Sequence, residues 1–230
     1  MEPMTAEESR ARSYTVLPAG DPVQSRVEIK RSEFIGRLQR VTTEEQARTF
    51  IEQNRKTYHD ARHVCSAFVI GPDREIQRSA DDGEPAGTAG IPMLQTLLQQ
   101  GGDSPLSDVC AVVIRYFGGI KLGAGGLVRA YTETVTQTLQ EARLITRTRM
   151  RRGKVVMPHA EAGRLENELR AQGEPLGLTV LNTEYGQQAT LQLAVMDQPE
   201  SIQQAEALLA SLSAGEHLPT WTDTEWIDRS

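Results

Sequence analysis

The residues that most often announce chemistry are scarce in this chain. Two cysteines in 230 residues exclude a disulfide scaffold and a cysteine-rich zinc module. Cys65 and Cys110 both sit in apolar, strand-like runs, where buried reduced thiols are expected. Histidine occurs four times. His59 and His63 are four apart, a metal-binding spacing only on a helix, yet they lead into a strand-like run with Arg62 beside them. His159 and His217 read as lone surface or capping residues. No apolar run approaches a bilayer span, and the acidic start Met1-Glu2-Pro3-Met4-Thr5-Ala6-Glu7-Glu8 lacks a signal-peptide core. A cytoplasmic protein with no membrane contact is expected. A Gly-x-Ser-x-Gly elbow is absent, so a serine hydrolase has no nucleophile to start from.

An excess of positive charge is also missing. The net charge is -6, and residues 1–150 hold 19 Lys+Arg against 19 Asp+Glu, leaving 6 against 12 in residues 151–230. Nucleic-acid affinity rests on cations that neutralise phosphates. Any RNA contact is therefore expected in the first part, and the acidic C-terminal part suits a protein partner.

What is present is organised around residues 109–131. Val109 to Phe117 is a β-branched apolar run that suits a strand buried on both faces. Five glycines follow, among them Gly118, Gly119 and Gly123, and then Leu127, Tyr131, Val135 and Leu139 recur at helical spacing. The unit is strand, glycine loop, helix. It is neither a P-loop, since Gly123 is followed by Ala124-Gly125, nor a dinucleotide fingerprint, since Val128 stands where glycine or alanine is required. Two readings remain. Amides at the helix start, with Arg115, Lys121 and Arg129 nearby, hold an anion; or the glycines only permit a tight connection and the cations pair with local carboxylates.

Residues 79–92 form a second glycine loop, with Asp81, Asp82 and Glu84, opening a helix from Met93 to Gln100 for which Thr88 is the expected cap. Three close carboxylates would serve Mg²⁺, would pair with the cations of the other loop, or are plain turn residues. Both loops follow apolar strands and precede helices, which predicts that they emerge at one end of a sheet and share a cleft.

Three regions are expected: a disordered N-terminus (1–12), an α/β domain (13–146) and a second domain (151–230). Between the last two lies a basic connector carrying Arg147, Arg149, Arg151 and Arg152. Strands are expected at Tyr14–Leu17, Arg26–Ile29 and Lys30–Leu38, and a helix capped by Thr42 or Thr43 runs to about Arg55. After the connector, the pattern β-α-β-β-α-β over roughly 75 residues is that of the ferredoxin-like split βαβ fold.

Four contiguous stretches carry a family resemblance: Glu28-Ile29-Lys30-Arg31-Ser32-Glu33-Phe34-Ile35, Asp60-Ala61-Arg62-His63, Asp81 to Gly90, and Val113 to Gly123. On these the chain resembles the IMPACT family, in its bacterial YigZ-type branch. The resemblance implies an α+β protein of two domains. The first would be similar to domain IV of elongation factor G, a ribosomal-protein-type βαβ fold, and the second would be ferredoxin-like and similar to domain V. Both likenesses point to translation. Eukaryotic members restrain the amino-acid-starvation response by competing for the activator of an initiation-factor kinase, using an additional RWD domain that these 230 residues do not contain.

The expected function is thus a non-enzymatic binding or regulatory protein linked to translation. It would contact RNA or the ribosome through the two glycine loops and use neither a cofactor nor a metal. The contact residues expected from their chemistry are Arg62, His63, Asp81, Asp82, Glu84, Arg115, Gly118, Gly119, Lys121, Gly123 and Arg129. The alternative is a Mg²⁺-dependent enzyme acting on a phosphate-containing substrate through Asp81, Asp82 and Glu84.

Overall fold

The computed structural model describes residues 9–229. The chain is α+β, with two antiparallel sheets, and it divides into two compact units, residues 9–147 and 148–228. No helix among the described residues is long and apolar enough to cross a membrane.

The first unit contains β1 (Ser13–Val16), β2 (Val23–Ile29), β3 (Ser32–Arg40), α1 (Glu44–Thr57), β4 (His63–Ile70), β5 (Ile76–Ala80), α2 (Gly90–Leu98), β6 (Val109–Tyr116) and α3 (Ala124–Gln140). Its main sheet has the order β2-β3-β6-β4-β5, with every neighbouring pair antiparallel. β6 is therefore central, and its apolar run is buried on both faces as expected. Val109, Ala111 and Val113 pack with residues of α2 and α3, while Cys110, Val112 and Ile114 pack with Ala47, Phe50 and Ile51 of α1. Cys65 belongs to the first of these layers and Cys110 to the second, so the sheet itself separates the two thiols.

Local signals explain most of the elements. Thr43 caps α1 by accepting from the Gln46 amide, and Glu44 and Glu45 occupy the first turn, where the helix dipole favours acids. Several expectations need correction. Lys30 and Arg31 do not continue a strand; they are the two central residues of a hairpin turn, with Ile29 paired to Ser32. Their φ values are 47° and 64°, a left-handed conformation that costs side-chain-bearing residues on the order of 1 kcal/mol each. The helix after the acidic loop begins at Gly90, and Thr88 does not cap it, its hydroxyl donating to the Pro85 carbonyl instead. At the beginning of the described chain, the amides of Arg10 and Ala11 donate to the Asp73 carboxylate. The rest of the expected disordered N-terminus, residues 1–8, lies outside the described residues.

The second unit follows the order β7 (Ile145–Met157), α4 (His159–Gln172), β8 (Leu178–Tyr185), β9 (Ala189–Met196), α5 (Pro199–Leu212) and β10 (Thr220–Arg229). β7 lies between β9 and β10, and β8 lies outside β9. Leu165 and Leu169 of α4 and Leu209 of α5 cover one sheet face with Val155, Leu191 and Leu193. The basic segment is strand and not connector. Its arginines are matched by acids distant in sequence, Arg147 by Asp108, Arg149 and Arg151 by Asp197, and Arg152 by Glu225.

Candidate functional site: a cationic pocket between two glycine loops

β4 runs antiparallel to both β5 and β6, so β5 and β6 point the same way. The loops that follow them consequently leave the sheet at one end. They line a common cavity of about 350 Å³. Arg62, His63, Glu84, Arg115, Lys121 and Gly123 surround it, with Phe117, Leu122 and Leu127 as apolar wall.

The acidic loop is held in shape by its own carboxylates. The two oxygens of Asp81 accept from the amides of Gly87 (2.7 Å), Ala89 (3.0 Å) and Gly90 (2.8 Å), so Asp81 performs the capping expected of Thr88. Burial raises the Asp81 carboxyl, but these three amide donors outweigh it and hold the group below its ordinary value. The Asp82 carboxylate accepts from the Val64 amide (2.8 Å) and from Arg55 (3.0 Å), while its carbonyl oxygen meets His63 Nδ1 at 2.9 Å. Gly90 is required by close approach, since a Cβ there would lie 2.7 Å from the Ala80 backbone nitrogen.

Glu84 alone of the three acids faces the pocket. It is buried, and its Oε1 accepts from Arg115 Nη1 (2.6 Å) and from the Tyr131 hydroxyl (2.9 Å). Arg115 retains only 6% of its surface. Its guanidinium stands over the ring of Phe34 at 5.4 Å and that of Phe117 at 5.6 Å, and Phe34 meets Tyr131 edge to face. Its Nε is buried with no hydrogen-bond partner. Behind Tyr131 lies the Cys65 thiol, 3.3 Å from the hydroxyl. Burial pushes Cys65 up to about 12, and burial with the Cys65 contact also raises Tyr131, so both keep their protons at neutral pH. A protonated, fully buried Cys65 is packing and not a nucleophile.

α3 opens on the other side of the pocket. Its N-cap is Gly123, at φ 74°, which offers no side-chain cap, and its first turn contains no acid. The first amides of a helix have no intrahelical acceptors and carry the positive end of its dipole. Arg62 and Lys121 are exposed and, among the described residues, have no carboxylate partner.

Six of the expected contact residues thus come together: Arg62, His63, Glu84, Arg115, Lys121 and Gly123. Five do not line the cavity. Asp81 is turned into its own loop, Asp82 toward α1, and Arg129 lies exposed further along α3. Gly118 packs against the β2–β3 turn, and Gly119 provides a left-handed bend at φ 86°. The expected pairing of acidic and basic loops exists in one place, Arg115 with Glu84. Asp81, Asp82 and Glu84 have separate partners and do not converge as Mg²⁺ ligands would. Among the described residues, the one group of ligand-type side chains close enough to hold a metal is Glu161, Glu216 and His217 in the second unit. His217 is therefore not isolated, its Nε2 lying 3.0 Å from Glu161.

Phe117 was missed from sequence because it reads as the end of an apolar strand, yet it stands 48% exposed at the pocket wall. A wider depression of about 480 Å³ between α1 and β5 offers a contrast. Its arginines, Arg48, Arg55 and Arg78, are all answered by Glu44, Glu52 or Asp82.

Comparison with known proteins places this arrangement. The Impact N-terminal domain matches residues 30–139, which contain every residue of the pocket. IMPACT family member YvyE of Bacillus subtilis is 46% identical over 157 residues, 68% of this chain and 69% of its own length. The chain belongs to the IMPACT family. IMPACT family member YigZ of Escherichia coli is 48% identical over 128 residues, which span 55% of this chain and 60% of that protein. A crystal structure described as that of a hypothetical protein matches this IMPACT chain at 33% identity and a TM-score of 0.56, covering 92% of this chain and 98% of its own.

Proposed function

We propose that this IMPACT family protein is a non-enzymatic binding or regulatory protein of translation that contacts RNA, free or in the ribosome, through the pocket between its glycine loops. One observation carries the reading. A buried arginine, held by Glu84, lines a cavity of about 350 Å³ together with Gly123, the N-cap of α3, whose first amides lack a side-chain cap, and this cavity is taken as the seat of a phosphate. Arg62 and Lys121 add unpaired charge at the rim, and Phe117 offers a ring on which a base can stack.

Resemblance supports the same direction. The first unit is read as similar to domain IV of elongation factor G. The β-α-β-β-α-β order of the second is that of the ferredoxin-like fold and is read as similar to domain V. The second unit, where acids outnumber bases, is proposed to meet a protein partner and not phosphate.

Fluorescence anisotropy with a short single-stranded oligoribonucleotide, repeated across salt concentrations, tests the pocket. Lys121→Ala and Arg62→Ala should each weaken binding and flatten the salt slope by about 0.7. Unchanged affinity and slope in both variants would refute the assignment.

A further inference from the structure

The β2–β3 turn is made of residues that suit it poorly. A two-residue hairpin turn with both central φ values positive is favoured by Asn-Gly, Asp-Gly or Gly-Gly, because a Cβ is crowded there. Here the positions are Lys30 and Arg31, at 47° and 64°. Unfavourable backbone that persists in a well-packed hairpin points to a use for the side chains.

Those side chains are available. Lys30 and Arg31 are exposed, and among the described residues neither has an ion-pair or hydrogen-bond partner. Two acids stand on the hairpin behind the turn, cross-strand neighbours Glu28 and Glu33; Glu33 is engaged by Arg26 at 2.6 Å. The turn is also fixed in place. The Arg31 carbonyl lies so close to Gly118 that any Cβ at that position would overlap it, and the Gly118 amide donates to Ser32 Oγ at 3.2 Å. Gly118 directly follows Phe117, and Lys121 is three residues on, both on the pocket wall. Two unpaired cations thus stand on a turn whose backbone is held against the loop that lines the pocket.

We infer that the Lys30–Arg31 turn is a second phosphate-contacting element for single-stranded RNA, continuous with the pocket and retained in an unfavourable conformation because the cations are needed there. This rests on the RNA reading of the pocket. One phosphate occupies the space between Arg115 and α3, neighbouring phosphates of the same strand cross the turn, and an unstacked base lies on Phe117. A duplex keeps its bases stacked and cannot use that ring.

The double variant Lys30→Asn with Arg31→Gly separates the two roles, because it supplies the preferred turn and removes both charges. Its melting temperature should rise, while affinity for a single-stranded oligoribonucleotide falls and the salt slope flattens by about 1.4, two phosphate contacts' worth. Lys30→Gln with Arg31→Gln should lose the same affinity without the gain in melting temperature. If the Asn-Gly variant binds RNA like the parent while Lys121→Ala does not, the inference fails and the pocket assignment stands. If the Asn-Gly variant weakens binding and Lys121→Ala and Arg62→Ala leave it unchanged, the turn is the RNA element and the pocket assignment fails. A lower melting temperature of the Asn-Gly variant, or equal binding of single strand and duplex, would also overturn the inference.

Discussion

Asp81 shows how a residue that looks functional can be structural. Its three amide hydrogen bonds close the loop and cap α2, and its side chain does not line the cavity. Asp81→Ala should therefore destabilise the protein by about 1–2 kcal/mol at neutral pH, measured by urea unfolding, with little effect on RNA affinity. Because the folded carboxyl is held below its ordinary value of 3.8, its contribution is complete above that pH and is lost as the pH falls through the lower folded value. The stability difference between parent and variant should accordingly be flat above about pH 5 and shrink below about pH 4. Arg115 is the opposite case. Its pairing with Glu84 holds the guanidinium at the pocket wall, where the proposed phosphate would meet it.

At the scale of elements, the site depends on the contact between the β2–β3 turn and the loop after β6. Gly118→Ala would drive a methyl group into the Arg31 backbone, which cannot yield as a flexible side chain would. A loss of about 2 kcal/mol in chemical denaturation is expected, with weaker RNA binding from displacement of both Arg31 and Phe117. The central strand, the glycine loop and α3 were legible in the sequence because each has a strong local period, and the shared cleft followed from two strand-loop-helix units on one sheet. What was not legible arises from partners distant in the chain. Arg149 and Arg151 looked like a connector because Asp197, their common partner, lies more than forty residues away. Asp82 looked like a pocket residue because nothing local shows that Arg55 will claim it. The Lys30–Arg31 turn was hidden by its own chemistry, since neither residue type signals left-handed backbone.

Across the whole molecule, charge is divided between the two units, balanced in residues 1–150 and acidic after them. An overall charge of -6 repels RNA at long range, so the proposed RNA binding would rest on a few local contacts and should have a shallow salt dependence. Crosslinks to RNA, mapped by mass spectrometry on the full chain, should concentrate at residues 30–31, 62 and 115–123 and be sparse in residues 148–228. Crosslinks mainly in the second unit would contradict this division. The place of β6 in the sheet has a consequence for timing. It is the last strand of its sheet to be synthesised, yet it inserts between two that already exist, β3 and β4. Until it does, the early hairpins have nothing to join them, and Gly118 has not met Arg31. The proposed pocket therefore matures with the sheet, because Arg115 and the open end of α3 are both made after every other strand of that sheet.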